Sequence, residues 1–248
     1  MNINKLIVPD FFPGRLRVYA EEYWGLLKML AVRPNKESFR LAKMILKVKP
    51  RHTMAKNGNL LNLHRLAGHV AAEKIPGDLV ECGVWNGGSS AIMGKALMEC
   101  GGLKGRRLWL FDSFEGVPKP GEKDGWFERT FYFKGWNKGD IQHVREAFAR
   151  LNVPMDNVRI VPGWFNQTLK SSAVERIALL HIDADWYDSV RDILEAFYER
   201  VVPGGFVVLD DYGSWQGCRS AVHDFISMHG LAVKIVRVSR IGAFFQMP

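Results

Sequence analysis

The chain is poor in cysteine, in long apolar runs and in signals for export. Its 248 residues include three cysteines, Cys82, Cys100 and Cys218, whose spacing fits neither a disulfide framework nor a zinc site. No apolar run approaches the ~20 residues that a membrane-spanning helix needs. The start of the chain also lacks the layout of a secretory signal. We therefore expect a cytoplasmic location.

Acidic residues are scarce only at the beginning of the sequence. The chain carries 34 Lys and Arg against 26 Asp and Glu, a net charge of +8. Residues 1–56 hold 12 basic and 4 acidic residues, and residues 57–248 hold 22 of each, so the first segment carries the whole excess. Nucleic-acid binders usually spread basic residues over their working domain, so we expect no nucleic-acid partner. The basic segment predicts weak contact with an anionic membrane surface, an acidic substrate or a partner subunit, or only a solvated helical face.

The periodicity of apolar residues predicts one α/β domain after a helical extension. Residues 16–32 and 38–48 are predicted amphipathic helices of a basic extension, residues 1–56. A break at Pro50 and residues 56–59 precedes a third helix over 60–75. Further helices are predicted over 89–100, 140–151, 189–201 and 217–229, and strands over 79–84, 107–112, 158–163, 177–183, 206–211, 231–238 and 242–248. This alternation predicts a doubly wound, mostly parallel sheet over residues 57–248, closed by an antiparallel hairpin.

A glycine-rich turn follows the first predicted strand of the domain. It reads ECGVWNGGS over residues 81–89, and its glycines let the backbone approach a ligand at the start of a helix. The spacing differs from the G-x-G-x-x-G of dinucleotide enzymes, and an acid before the first glycine is ill suited to pyrophosphate. The turn favours a cofactor with a cationic amino-acid end. The cofactor contacts expected here are Glu81, Gly83, Trp85, Asn86, Gly87 and Ser89.

An acidic residue ends the second predicted strand. The carboxylate of Asp112, followed by Ser113, is placed to accept hydrogen bonds from both hydroxyls of a ribose. A tight turn or a helix cap explains either this motif or the glycine turn alone. Together, in this order, the two motifs favour an adenosine cofactor.

Four aspartates follow two later strands. Asp183 and Asp185 follow one strand, and Asp210 and Asp211 follow the next. The carboxyl ends of neighbouring parallel strands share one crevice, where unpaired like charges are costly. A bound cation removes that cost, and oxygen ligands favour Mg²⁺, or Mn²⁺, over zinc. Capping of the following helices explains one such aspartate but not four.

Several long stretches resemble the macrocin O-methyltransferase family, which methylates sugar hydroxyls of macrolides and aminocoumarins. They are IPGDLVECGVWNGGSS, LFDSFEGVPKP, VPGWFNQTL, LLHIDADWYDSV and VPGGFVVLDDYGSWQGCRSAVHDF, and they fall within residues 52–248. The resemblance implies a Rossmann-like class I methyltransferase fold and an enzyme that uses S-adenosylmethionine (SAM) and Mg²⁺. It also implies a small-molecule or glycan acceptor and a homo-oligomer. Where relatives often have V-E-T-G-V-W-R-G-G, this chain has Cys82 and Asn86, and the first fifty residues fall outside the resemblance.

The same resemblance assigns roles to individual residues. It implies that Asp183, Asp210 and Asp211 bind the metal and that Glu81 and the glycines hold the methionine part of SAM. It places Asp183 among the cofactor contacts as well, together with Gly163 and Trp164, which border the adenine.

Two residues are candidates for the base that removes the acceptor proton. Asp185 matches the position proposed in the aminocoumarin sugar enzyme, whereas His143 lies in the helix region that supplies a histidine in the macrolide enzyme. We favour Asp185.

The polar and aromatic segment 113–139, here called the lid, is long enough to cover a site. Its aromatic side chains form either a wall against the acceptor or part of the core or a dimer contact, and we favour the packed alternative. The aromatic residues of the lid are Trp126, Phe127, Phe131, Tyr132, Phe133 and Trp136.

Two other functions compete with a sugar O-methyltransferase. They are a catechol or phenol methyltransferase and a non-catalytic Rossmann-like binding protein.

Overall fold

The computed structural model describes residues 14–32 and 34–248, with side chains from residue 23 onward in these ranges. The helices are α1 (Gly14–Val32), α2 (Lys36–Val48), α3 (Asn57–Ala72), α4 (Gly88–Glu99), α5 (Trp126–Phe131), α6 (Ile141–Arg150), α7 (Phe165–Thr168), α8 (Tyr187–Phe197) and α9 (Gln216–Met228). The strands are β1 (Asp78–Cys82), β2 (Leu108–Asp112), β3 (Val158–Pro162), β4 (Ile177–Ile182), β5 (Val201–Leu209), β6 (Val236–Arg237) and β7 (Ala243–Gln246). The first 13 residues of the predicted extension lie outside the described residues.

The strands form one sheet in the order β3-β2-β1-β4-β5-β7-β6. Strands β1 to β5 pair in parallel, and β7 pairs antiparallel with both β5 and β6. The predicted doubly wound sheet with a C-terminal hairpin is therefore confirmed. The strand order reverses between β1 and β4. In such sheets ligands bind in the crevice beyond the carboxyl ends of the strands at this point.

Helices cover both faces of the sheet, and α2 belongs to one of these layers. Ile45 and Val48 of α2 are fully buried in the same core cluster as Leu60 and Leu63 of α3. The predicted boundary at residue 57 therefore does not separate two cores. The opposite face of α2 is exposed and carries Lys36, Phe39, Arg40, Lys43, Leu46 and Lys47. Among the described helices, none combines the length and the hydropathy that crossing a bilayer requires.

Of the element boundaries that differ from prediction, two have a clear local cause. Helix α3 begins at Asn57, within the stretch predicted to break the chain, because tertiary hydrogen bonds of Asn59 stabilise this first turn. Strand β5 begins at Val201, five residues before its predicted start at residue 206, and it runs through Pro203, Gly204 and Gly205. Gly204 has a φ of +78° there, and the pairing register with β4 shifts nearby, so the glycines form an irregularity within the strand.

Candidate active site

The carboxyl ends of the parallel strands open into a cavity of about 860 Å³. Its walls come from the loops after β1 to β5, from residues 52–55 before α3 and from the lid. The predicted residues that line it are Gly83, Trp85, Ser89, Asp112, Ser113, Gly163, Trp164, Asp183, Asp185, Asp210 and Asp211. The glycine turn and the acidic cluster thus face one shared space.

Gly83 allows the loops after β1 and β4 to meet. Its φ is +92°, and a Cβ at this position would collide with the carbonyl of Asp183. Backbone hydrogen bonds fix both loops, from Gly83 N to Phe111 O at 2.9 Å and from Asp183 N to Cys82 O at 2.9 Å. Glycine is therefore required here both for the positive φ and for the close approach of the two loops.

Asp112 holds the loops of the donor side in place. Its Oδ2 accepts hydrogen bonds from Val84 N at 2.7 Å and Trp85 N at 2.8 Å, and its Oδ1 accepts one from Phe114 N at 2.7 Å. A carboxylate offers about four lone-pair sites, so three backbone donors leave capacity for about one more. The predicted contact with a ribose would have to use this remaining capacity.

The structure does not place Glu81 in the cavity wall. Glu81 is 1% exposed, accepts a hydrogen bond from Ser90 and lies 2.9 Å from His181 Nδ1. Burial lowers the pKa of a histidine, but the carboxylates of Asp210 and Glu81 outweigh it and raise the pKa of His181 to about 9. Glu81 and His181 thus form a buried ion pair behind the site, and the contact of Glu81 with the methionine part of a cofactor stays a prediction.

Asn86 and Gly87 are likewise outside the wall. Asn86 Nδ2 donates to Arg51 O at 2.9 Å, and its Oδ1 accepts from Asp140 N at 3.0 Å. Gly87 packs against Val144 of α6. Both residues shape the glycine turn from behind, and their predicted ligand contacts find no support in the geometry.

The acidic cluster provides a set of oxygen ligands. Asp183, Asp210 and Asp211 each offer a carboxylate oxygen, and these atoms all lie within 4.8 Å of one another. Burial and mutual repulsion raise the pKa of Asp183 and of Asp211 well above the usual range. Asp211 Oδ2 is buried without a hydrogen-bond partner. A hard divalent cation with oxygen ligands fits this arrangement, because it would neutralise the buried charge and satisfy the orphaned oxygen.

Asp185 lies beside this cluster in a constrained loop. Its backbone has a φ of +53°, which is unusual for aspartate. Burial raises the pKa of Asp185 to about 6, while hydrogen bonds with Asp211 and Trp215 limit the rise. A carboxylate of this kind is ionised at neutral pH and is more basic than an exposed aspartate, which suits a general base.

The other candidate base, His143, does not line the cavity. Its Nε2 lies 3.0 Å from Arg51 Nη2, and its ring packs edge-on against His52 at 5.9 Å between centroids. The geometry therefore favours Asp185.

Residues 52–55 line the cavity although no motif marks them. Thr53 Oγ1 lies 3.2 Å from Ser89 Oγ, and His52 O accepts a hydrogen bond from Gly88 N at 2.7 Å. These contacts dock the segment on the glycine turn. Because they depend on tertiary packing rather than on sequence spacing, the sequence carries no signal for them.

The lid is fixed at its base and exposed at its tip. Asp124 is 3% exposed and accepts hydrogen bonds from Tyr187 N at 2.8 Å and Gly121 N at 2.7 Å. Trp186 Nε1 donates to Pro118 O at 2.9 Å. Tyr132 lines the cavity, but the side chains of Trp126, Phe127, Phe131 and Phe133 are 48–66% exposed. For these four side chains the expectation of packing into the core is wrong, and the dimer contact and the acceptor wall stay predictions.

Comparison with known proteins adds a family match to this geometry. The family model described as macrocin-O-methyltransferase (TylF) matches residues 32–247, so the similarity begins some twenty residues before the predicted start. A curated relative from Streptomyces olivaceus, 8-demethyl-8-(2,3-dimethoxy-alpha-L-rhamnosyl)-tetracenomycin-C 4'-O-methyltransferase, is 39% identical over 79% of this chain and 75% of its own. Mycinamicin III 3''-O-methyltransferase from Micromonospora griseorubida is 33% identical over 79% of this chain and 78% of its own.

A solved structure with the same fold is that of the O-methyltransferase NovP. It superimposes with a TM-score of 0.73 at 28% identity and covers 95% of this chain and 99% of that one. The similarity therefore extends over the sheet, both helical layers and the lid region.

Proposed function

The chain belongs to the macrocin O-methyltransferase family of SAM-dependent enzymes, and on that premise we propose that it methylates a sugar hydroxyl of a glycoside with the help of a divalent cation, Mg²⁺ or Mn²⁺. One observation carries the proposal. The glycine turn that suits the methyl donor and the buried carboxylates that suit a cation line the same cavity. Donor and acceptor can therefore meet there.

The donor side would bind SAM through the loops after β1, β2 and β3. Gly83 keeps the loop after β1 close to the loop after β4, which would leave room for the amino-acid end of SAM. Ser89 and Thr53 offer hydroxyls beside this space. Asp112 has capacity for one ribose hydroxyl, and Trp164 offers an aromatic face for the adenine.

The acceptor side would hold the cation through Asp183, Asp210 and Asp211. When bound, a divalent cation lowers the pKa of a coordinated hydroxyl and so supplies the acidity that an aliphatic alcohol lacks. Glu81 balances the charge of His181, whose Nε2 also lies 3.6 Å from Asp210 Oδ1, so the three aspartates keep a net negative charge for the cation.

Asp185 would complete the reaction as the base. Its carboxylate accepts the hydroxyl proton while the acceptor oxygen forms a bond to the methyl carbon. The carbon–sulfur bond breaks, and its electron pair stays on sulfur and neutralises the sulfonium charge. Enclosure by the lid would keep water from competing for the methyl group.

A sugar acceptor is supported by the name of the first relative, a 4'-O-methyltransferase of a rhamnosyl-tetracenomycin, and the second relative is a 3''-O-methyltransferase of mycinamicin III. The test is methyl transfer from SAM to a panel of neutral glycosides, with catechol and simple phenols as the alternative acceptors, followed by mass spectrometry. A glycoside product that disappears on chelation and returns with Mg²⁺ or Mn²⁺ supports the proposal. Methylation of catechol alone overturns the sugar assignment, and undiminished turnover with a chelator overturns the cation.

Other expectations from the sequence are retained as proposals. We place the enzyme in the cytoplasm, in keeping with free Cys82, Cys100 and Cys218, and as a homo-oligomer. The exposed basic and apolar face of α2 supports weak contact with anionic membranes. Analytical ultracentrifugation tests the homo-oligomer, and sedimentation with anionic vesicles tests the membrane contact.

A further inference from the structure

Asn59 lies beside the acidic cluster although it belongs to neither strand that builds it. It sits in the first turn of α3 and is 2% exposed. Its Nδ2 donates to Asp210 Oδ1 at 2.8 Å and to the Asp210 carbonyl oxygen at 3.2 Å. The amide nitrogen therefore contacts both the side chain and the backbone of one residue.

The turn between β6 and β7 fixes the orientation of this amide. Asn59 Oδ1 accepts a hydrogen bond from Ser239 Oγ at 2.8 Å, and Ser239 Oγ in turn accepts from Gly242 N at 2.8 Å. Gly242 packs so closely that a Cβ there would collide with Asn59 Oδ1. A flipped amide would place its oxygen against the Asp210 carboxylate and lose all three bonds, so this network defines which end of the side chain faces the cluster.

A neutral amide is well suited to this position. Like a charged donor it restrains one carboxylate oxygen of Asp210, but it adds no positive charge to that of His181, whose Nε2 already lies 3.6 Å from the same oxygen. The bond to the carbonyl oxygen also restrains the backbone at Asp210, where β5 ends. Partners of this kind orient metal ligands, and losing one typically lowers metal affinity 10–100-fold.

We propose that Asn59 is a positioning residue of the cation site, acting through Asp210. The inference rests on the proposed cation-dependent function. It predicts that the first turn of α3 and the β6–β7 turn, neither of which carries a metal ligand, set the affinity of the site.

The test is Mn²⁺ binding to the full chain, measured by electron paramagnetic resonance of free Mn²⁺, which needs no acceptor. For Asn59→Ala we expect the dissociation constant for Mn²⁺ to rise by about 10–100-fold and that for SAM to stay within about twofold. Methyl transfer by this variant should recover at saturating Mn²⁺. A residue with only a structural role would not show this rescue.

Asn62→Ala is the matched control. Asn62 lies on the same helix and is 6% exposed, but its Oδ1 accepts from Arg65 Nη2 rather than touching the cluster. Its Mn²⁺ affinity should equal that of the unmodified chain. If Asn59→Ala does not fold, Ser239→Ala decides the question, because it frees the amide without touching Asp210 and should weaken Mn²⁺ binding by a few-fold.

The outcomes separate this inference from the function on which it rests. Unchanged Mn²⁺ affinity in Asn59→Ala, or in Ser239→Ala where only that variant folds, overturns the role of Asn59 and leaves the cation site standing. If the unmodified chain binds no Mn²⁺, or Asp210→Asn binds it equally well, the cation site and the inference both fall.

Discussion

The ends of β4 and β5 and the lid face the same cavity but differ in what holds them. Asp210 and Asp211 are 4% and 7% exposed and directly follow β5, which is paired with β4. Because this pairing holds the backbone in place, the carboxylates stay together despite their repulsion. The lid carries the short helix α5, exposes its aromatic tip and is fixed mainly at its base. Regions with few buried contacts open most easily. The strand ends therefore suit groups that must stay fixed during the reaction, and the lid suits binding and release of an acceptor.

The largest effect that would test this comparison is expected at Asp211. Asp211→Asn removes a proposed ligand, so turnover should fall by about 10²–10³-fold, the loss typical of removing one electrostatic stabiliser. Because burial and neighbouring carboxylates raise the pKa of Asp211, the neutral side chain should also raise the metal-free melting temperature, by roughly 2–4 °C per kcal/mol gained. Turnover and thermal unfolding with a chelator measure the two effects.

Exposed Asp156 provides the control for this prediction, since Asp156→Asn should change neither quantity. A lower melting temperature in Asp211→Asn would mean that the carboxylate stabilises the fold, and the contrast with the lid would then disappear.

The second effect concerns the base. Asp185→Asn should lower turnover by about 10²–10⁴-fold, because positioned acid–base groups contribute that much, with little change in the affinity for SAM. His143→Gln, the matched variant of the other candidate, should retain activity within about threefold, because His143 itself does not line the cavity and its ring contacts Arg51 and His52. Rapid-mixing measurements of methyl transfer distinguish the two, and the opposite ranking would assign the proton to His143.

Much of this site follows from sequence because strand ends obey simple rules. Buried strands that end in aspartate predicted both the parallel sheet and the convergence of Asp183, Asp210 and Asp211. The glycine turn likewise predicted a close backbone approach at Gly83, which in the fold is made to the loop after β4. In each case the local pattern and the tertiary arrangement have the same cause.

Sequence reasoning failed where a side chain is used by distant parts of the chain. Asn59 was predicted in a flexible break, yet its bonds to residues 210 and 239 hold it in a helix. Nothing in the sequence indicated that Glu81 pairs with His181 of β4, about 100 residues away. Such pairings depend on the folded arrangement, which no spacing within a motif encodes.

The third effect, on the lid base, is smaller. Asp124→Ala leaves the amides of Tyr187 and Gly121 without acceptors, and an orphaned buried donor costs about 1–3 kcal/mol. We expect faster hydrogen exchange confined to residues 113–139 and an acceptor KM raised by about tenfold, with turnover at saturation nearly unchanged. Glu122→Ala, at an exposed position of the same segment, is the control. Exchange that spreads to β4 or β5 would show that lid and strand ends open as one unit.

The smallest effect is expected at the exposed tip of the lid. Phe127→Ser removes a ring that is 48% exposed, so the free energy of unfolding should change by no more than about 0.5 kcal/mol. Phe148→Ala in the fully buried core should instead cost about 3–5 kcal/mol. Chemical denaturation measures both. A large loss in Phe127→Ser would mean that this surface is covered in solution, and a melting temperature that rises with protein concentration would identify a second copy of the chain as the cover. The lid would then be as firmly packed as the strand ends, because its cover would come from outside the fold.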